Sequence, residues 1–489
     1  MQSRQYECCI LGAGPAGLAA ALELAHHGVR DVVVVDRNAE PGGLSRTVVR
    51  DGNRFDIGPH RFYTANPQIQ RLWRETLGDD FLPVRRQTRI LYSGKLFSYP
   101  LEPVNVLTNL GVGASVLAVL SYVLAQLRAS SEPGSYEDWI VSRFGQRLYD
   151  TFFRSYTEKV WGVPCSSISA EWASQRIKGL NLVRAALNAL NPFRTNGPRT
   201  LVEQFDYPRL GAGQMYDALA DEIVAQGVAL LLNSTVTSIR REESAIASVT
   251  VHEESGLQTE IRARHFFTSL PITRFFRSMT PAVPEDVRRA ADSLLFREHI
   301  TVDLVYDAAD VFPDQWIYVH SPEVSMARIS NYKRFSPAMV GDPGKTGLSV
   351  EFFAYEHEPL WKAADRDLID LAVDQLGGQM IADRSRFETG FVVREADSYP
   401  AYVLGFREPY EVLKREIRRL TNLTPIGRGG LFKYNNQDHS CLSGLLGARD
   451  YLGIQGAPYD LWEINTDSEY LEDAPYETTA GSAREGKRV

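Results

Sequence analysis

Apolar positions along this chain recur with two periods. Residues 6–11 (Tyr-Glu-Cys-Cys-Ile-Leu) and 31–36 (Asp-Val-Val-Val-Val-Asp) are short apolar runs, and between them residues 15–27 follow a helical pattern closed by Gly28. A β-branched run separated from the preceding strand by a helix is the pattern of a parallel sheet covered on both faces. Residues 299–306 and 347–355 instead alternate apolar with polar, which predicts strands of an antiparallel sheet. Further strands are predicted near 228–240 and 247–253. Helices are predicted at 66–78, across roughly 103–190, after Gly211-Ala-Gly213, and at 411–421. Residues 192–200 read as a loop, and no internal repeat is present. The predicted class is α/β, a Rossmann-type parallel sheet joined to a helical insertion and an antiparallel-sheet domain.

One apolar stretch stands apart. From Pro103 to Leu127 no residue is charged, a length comparable to a bilayer span. It contains Asn105, Thr108, Asn109, Ser115, Ser121 and Gln126, so the expectation is a buried or surface-packed helix, with membrane contact through 103–127 as the alternative.

Composition narrows the function. With 489 residues the chain exceeds one simple core and predicts two or three domains. The formal net charge is −8 with no block of Lys or Arg, which excludes a nucleic-acid partner of the usual basic kind. Cys8, Cys9, Cys165 and Cys441 form no metal or disulfide spacing, so no metal is expected and a reducing, cytoplasmic location fits. The strand beginning by residue 6 leaves no room for a signal peptide. No motif sets an oligomeric state.

The chemistry begins at Gly12-x-Gly14-x-x-Gly17, between a predicted strand and a predicted helix. The first glycine permits the tight turn, the second lets a pyrophosphate approach the backbone, and the third lets helix and strand pack closely. The helix start, at Ala16, then offers unpaired N–H groups to phosphate. Asp36 follows Gly17 at the end of the next strand, where an acid accepts hydrogen bonds from ribose hydroxyls. Arg37 is its neighbour, and the run continues to Gly42-Gly43-Leu44-Ser45, a second place where backbone passes close to the cofactor. Far downstream, Gly427-Arg428 and Gln437-Asp438-His439-Ser440 offer another helix N-terminus. Asp438 is there either a plain helix N-cap or a cofactor contact.

These two distant segments resemble the extended FAD fingerprint of the amine-oxidase-like flavoprotein superfamily. Three internal motifs resemble the branch that holds UDP-galactopyranose mutases and protoporphyrinogen-oxidase-like proteins. They are Gly58-Pro59-His60-Arg61-Phe62, Tyr156-Thr157-Glu158-Lys159-Val160-Trp161-Gly162, and Arg328-Ile329-Ser330-Asn331-Tyr332, with a weaker echo at Tyr399-Pro400. Pro59 and Lys333 depart from the mutase pattern, and the 437–440 segment leans toward the oxidase-like branch.

The resemblance implies non-covalent FAD held by Gly12, Gly14, Ala16, Gly17, Asp36, Arg37, Gly43, Leu44, Ser45, Gly58, Pro59, His60, Val236, Gly427, Arg428, Asp438, His439 and Ser440. It implies catalytic or substrate roles for His60 near the flavin, Trp161 in the substrate pocket, and Arg328 and Tyr399 on a substrate diphosphate. An arginine suits such a diphosphate, and a histidine can change protonation near neutral pH. A second phosphate-binding arginine has Arg176, Arg199 and Arg209 as candidates.

The implied activity is a mutase acting on a nucleotide-linked sugar, in which reduced flavin attacks the anomeric carbon and the ring recloses with no net oxidation. The alternative is an FAD-dependent oxidase, dehydrogenase or desaturase on another small molecule; a non-enzymatic flavin-binding role is a third reading. The implied organisation is an FAD domain in three segments, 1–85, 206–275 and 395–465. A mainly helical substrate-side domain at 86–205 and a sheet domain at 276–394 interrupt it, and the 466–489 tail is expected to be disordered.

Overall fold

The computed structural model describes residues 2–99, 101–127, 133–176, 204–454 and 460–464. Arg199, the 192–200 loop and the 466–489 tail lie outside the described residues.

The first sheet is built around parallel strands Gln2–Leu11, Val32–Val35 and Ala229–Leu231, with Gln258–Thr268 parallel to the first of them. Residues Ser234–Glu242 and Ala245–Glu253 extend it as an antiparallel meander, and Leu423–Pro425 adds to the end of Gln258–Thr268. Side chains alternate between two cores. Cys8, Ile10, Val32 and Val34 pack under helices Pro15–His26, Gly213–Ala225 and Gln437–Tyr451. Cys9, Leu11, Val33 and Val35 join the core beneath Ile272–Arg277, Glu285–Ser293 and Arg407–Arg418. Burial on both faces explains why these strands read as unbroken apolar runs.

The second sheet has seven strands in the order Phe387–Pro400, Phe296–Tyr306, Thr346–Ala354, Arg328–Asn331, Trp316–Val319, Thr88–Tyr92, Lys95–Ser98. All pairs are antiparallel except Trp316–Val319 with Thr88–Tyr92. Period two decides its faces. Ile300, Val302, Leu304, Leu348, Val350 and Phe352 bury against helix Asp365–Gly378. The alternate positions His299, Thr301, Asp303, Ser349 and Glu351 are buried on the opposite face. The hairpin Thr88–Ser98, which the sequence placed in the helical segment, pairs with this sheet instead.

Short helices fill 103–176: Pro103–Leu110, Val112–Leu127, Tyr136–Phe144, Gln146–Phe152, Arg154–Trp161 and Ala170–Arg176. The uncharged stretch is therefore not one helix. Gly111, at φ +84°, breaks it into two that are bent by 119°. Only Ala118 of Val112–Leu127 is buried. Of the two placements expected, buried or surface-packed, the second helix takes the surface-packed one: it docks through Ser121 and Gln126, whose side chains bond the backbone at Arg147 and at Ser142 and Arg143, while its aliphatic residues face outward.

Candidate active site

Where the two sheets meet, a cavity of about 980 Å³ opens. One end is backbone. Strand Gln2–Leu11 ends in the glycine turn, and helix Pro15–His26 begins there with Gly14 as its cap and Pro15 in its first turn. A Cβ on Gly17 would stand 1.8 Å from the carbonyl oxygen of Gly12, so only glycine lets this helix pack on its own turn. Gly14 and Gly43 face one another, and a Cβ on Gly43 would reach within 3.3 Å of the Gly14 Cα. The two bare backbones pass in contact with one another and both line the cavity beside a helix N-terminus, a cradle for a pyrophosphate. Next to it, Asp36 accepts from Ala13 N (2.7 Å) and Asn38 N (2.8 Å), which fixes the carboxylate at the strand end. Burial raises its pKa against those two hydrogen bonds.

The opposite wall is the start of helix Gln437–Tyr451. Asn436 caps it, with His439 closing a capping box through its Nδ1, which accepts from Asn436 N. Asp438 is therefore not the cap; it lies in the first turn and lines the cavity. Both its oxygens are buried without a hydrogen-bond partner. Its nearest cation-capable neighbour, His439 Nδ1 at 3.3 Å, is already an acceptor and cannot donate to it. A buried carboxylate with no donor is costly, and hydroxyls of a bound dinucleotide would relieve it. The donor set, the glycine cradle and this orphaned carboxylate fit the dinucleotide expected from the sequence. Ala16, Arg37, Leu44, Ser45, Gly58, Pro59, Val236, Gly427 and Ser440 line the same cavity with Gly12, Asp36 and Arg428.

The middle of the cavity is an ion cluster. Arg328 and Glu351 are direct partners across neighbouring strands. Arg328 binds Glu351 through two nitrogens, Nε at 2.6 Å and Nη2, while His299 Nε2 lies 2.8 Å from the same carboxylate. Burial alone would raise the Glu351 pKa; the Arg328 charge and the two hydrogen-bond partners outweigh it and hold it at about 2. Arg328 lines the cavity, but its charge is matched within the protein.

His60 sits close by. Burial, then the positive charges of Arg428 and Arg328, lower its pKa to about 3. The expected protonation switch near neutral pH is corrected: His60 is a neutral imidazole, with Nδ1 buried and unpartnered. Arg428 is fixed by donating to the carbonyls of Asn435 and Ser398 between the rings of Tyr399 and Tyr434. Tyr399 lines the cavity, and burial pushes its hydroxyl up to about 12.

Trp161 does not line the cavity. It ends helix Arg154–Trp161 and packs edge-on against Trp172 and Tyr434 in the aromatic core of the helical layer. The tryptophan at the cavity is Trp316, with Tyr318 beside it. Arg209 is a surface residue paired with Asp80 at 2.7 Å, and nothing is described of the Arg176 side chain. Sequence reasoning missed Arg86. Its guanidinium stands 5.7 Å from the Trp316 ring centroid and 5.1 Å from that of Tyr99, and its Nε and Nη1 are buried without hydrogen-bond partners. No motif marked it; only the strand pairing of Thr88–Tyr92 with Trp316–Val319 brings it there.

The family model of the flavin containing amine oxidoreductases matches residues 15–432. A probable UDP-galactopyranose mutase of Klebsiella pneumoniae is 27% identical over 166 residues, covering 33% of this chain and 42% of that protein. The chloroplastic protoporphyrinogen oxidase of Oryza sativa subsp. japonica is 25% identical over 178 residues, covering 35% of this chain and 33% of that one. The matched stretches thus span less than half the length of either relative. The crystal structure of a reduced UDP-galactopyranose mutase superposes with a TM-score of 0.81 at 20% identity, covering 94% of this chain and 99% of that one, a likeness of fold.

Proposed function

The chain belongs to the flavin containing amine oxidoreductases, and on that premise we propose that it binds FAD non-covalently and acts, mutase-like, on a nucleoside diphosphate-linked sugar without net oxidation. The observation that carries this reading is the far end of the cavity. Trp316 and Tyr318 supply flat apolar faces there, and Arg86, outside the lining and 5.7 Å from the Trp316 ring centroid, holds two buried N–H-bearing nitrogens with no partner. Turned past Trp316 into the cavity, such a guanidinium would be satisfied by phosphate oxygens, which take two of its hydrogen bonds at once.

The residues of the cradle divide the work. Gly14 and Gly43, with the first turn of Pro15–His26, would hold the pyrophosphate. Asp36 would accept from the adenosine ribose, and Asp438 from the ribityl chain. When bound, the flavin supplies a redox-active ring that is nucleophilic in its reduced state. Arg428, immobilised between two tyrosines, lends fixed positive charge beside His60 and favours an anionic occupant. His60, held neutral, orients by hydrogen bonding rather than carrying charge. Glu351 holds Arg328 in place, so Arg328 contributes position and a balanced dipole, and the diphosphate falls to Arg86. Cys441 is fully buried, and its thiol is pushed up to about 12 by burial, which supports a non-covalent cofactor.

The test is calorimetric titration of UDP into the flavin-loaded protein, oxidised and anaerobically reduced. Binding that Arg86→Ala weakens by about 1.5–3 kcal/mol, the span for a charged hydrogen bond, supports the reading. Absence of UDP binding in both redox states rejects it. A second reading, a net oxidase or desaturase on a lipophilic substrate, is favoured by the internal neutralisation of Arg328; oxygen uptake with such substrates, absent UDP binding, would select it.

A further inference from the structure

Among the described residues, sixteen large aliphatic side chains are exposed, and ten of them lie between Val104 and Leu127. On the second helix of this pair, Val112, Val116, Val119, Leu120, Val123, Leu124 and Leu127 recur at three- and four-residue steps, from 45% to 77% exposed. That is a broad apolar stripe facing out instead of in. The opposite side of the helix is tied down by Ser121 and Ala118, and Gln126, at the margin of the stripe, anchors its last turn to the backbone of Ser142 and Arg143. The stripe is therefore held rigidly outward.

We propose that this helix pair docks the protein onto an anionic lipid surface, lying in the interface without crossing it. No single described helix is long and apolar enough to cross a membrane, and the 119° bend at Gly111 turns the two apart. Val112–Leu127 would span about 24 Å at ~1.5 Å per residue, short of the roughly 30 Å hydrocarbon core. An interfacial helix instead wants an apolar face with cations at its margin, which meet lipid phosphates.

The structure supplies that margin. Lys95 is exposed and donates to Asn109 O at the end of the first helix, beside the bend. Arg143 and Arg147 are exposed at the junction on which the second helix rests, and Arg143 lies over the Trp139 ring at 3.9 Å. Of the nearby acids, Asp150 is engaged by Gln146 and Arg154, and Glu102 stands at the other end of the first helix. A second copy of the chain is the poorer occupant, because a two-fold contact sets each patch and its cations against themselves. The pair also backs onto the apolar cluster of Phe97, Phe152 and Val106 that includes Tyr318 of the cavity wall, so the docked face lies on the substrate side of the molecule. This proposal does not rest on the nucleotide-sugar reading.

The experiment is flotation of the full, flavin-loaded protein with phosphatidylcholine vesicles, with and without phosphatidylglycerol. Flotation with the anionic vesicles, weakened by salt, is expected. The double variant Leu120→Glu, Leu124→Glu should lower it about tenfold or more, with flavin loading unchanged because the stripe is remote from the cradle. Arg143→Glu with Arg147→Glu should remove the preference for anionic vesicles. No flotation with either composition overturns the proposal. A dimer that Leu120→Glu dissolves, without vesicle binding, also overturns it and assigns the face to a second copy.

Discussion

Glu351→Gln isolates what the buried cluster contributes. In the folded protein Glu351 is held at about 2 against an ordinary 4.5, and it is fully buried. At about 1.36 kcal/mol per pH unit, that difference is worth roughly 3 kcal/mol at pH 7. The independent expectation for breaking a buried ion pair by removing one partner is about 3–5 kcal/mol, and the two routes agree. The sign is that of a depressed carboxylate: its stabilisation is fully present above pH 4.5 and is lost as pH falls toward 2. Denaturant melts of wild type and variant should therefore differ by about 3 kcal/mol at pH 7, narrowing to roughly 2 kcal/mol at pH 3.5. The fraction folded is read by intrinsic tryptophan fluorescence. Gln keeps the volume and an acceptor for Arg328, so packing loss does not inflate the figure. A difference below about 1 kcal/mol at pH 7, or one that stays constant down to pH 3.5, would refute the claim that Arg328 and His299 stabilise an ionised Glu351.

Three further outcomes are expected. Gly14→Val should fold yet purify colourless, because its Cβ meets Gly43 only at ordinary contact distance, 3.9 Å, while the added methyls enter the cavity that Gly14 lines; a fully flavin-loaded variant contradicts the cradle. The pH profile of kcat/KM should show no inflection from His60 between pH 5 and 8, since its folded value lies at about 3; an inflection in that range that His60→Gln abolishes counts against a neutral imidazole. Gly444→Ala should destabilise by about 1–3 kcal/mol, because the new Cβ would meet the backbone oxygen of Ala16 at 2.0 Å; a denaturation midpoint equal to wild type would mean the two helices do not pack so closely.

The local motifs were legible and the long-range ones were not. The strand, turn, helix and Asp36 of the first segment are contiguous, so each residue's chemistry could be read beside its spacing. The same holds for the alternation at 299–306 and 347–355, where the polar member of each pair faces the cluster. What failed depended on pairing between distant segments. Trp161 reads as a pocket residue until the helical layer takes it and a strand presents Trp316 instead. Arg328 reads as a free phosphate ligand until strand register sets Glu351 opposite it. His60 reads as a titrating group until burial and two arginines are seen around it. The 103–127 stretch was apolar for a reason its composition alone does not reveal, because composition does not say which way a helix faces.

The helix Gln437–Tyr451 has a consequence for how the protein matures. Its start forms one wall of the cofactor cavity, and Gly444 seats it against the helix that begins at Pro15. The glycine turn at residues 12–17 leaves the ribosome long before the wall that faces it, Gln437–Tyr451. Until residue 451 has emerged, the cradle is open on one side and Asp438 is not yet in place. Flavin capture then waits for this helix, and a nascent chain truncated before Gln437 should carry its glycine fingerprint without retaining the cofactor.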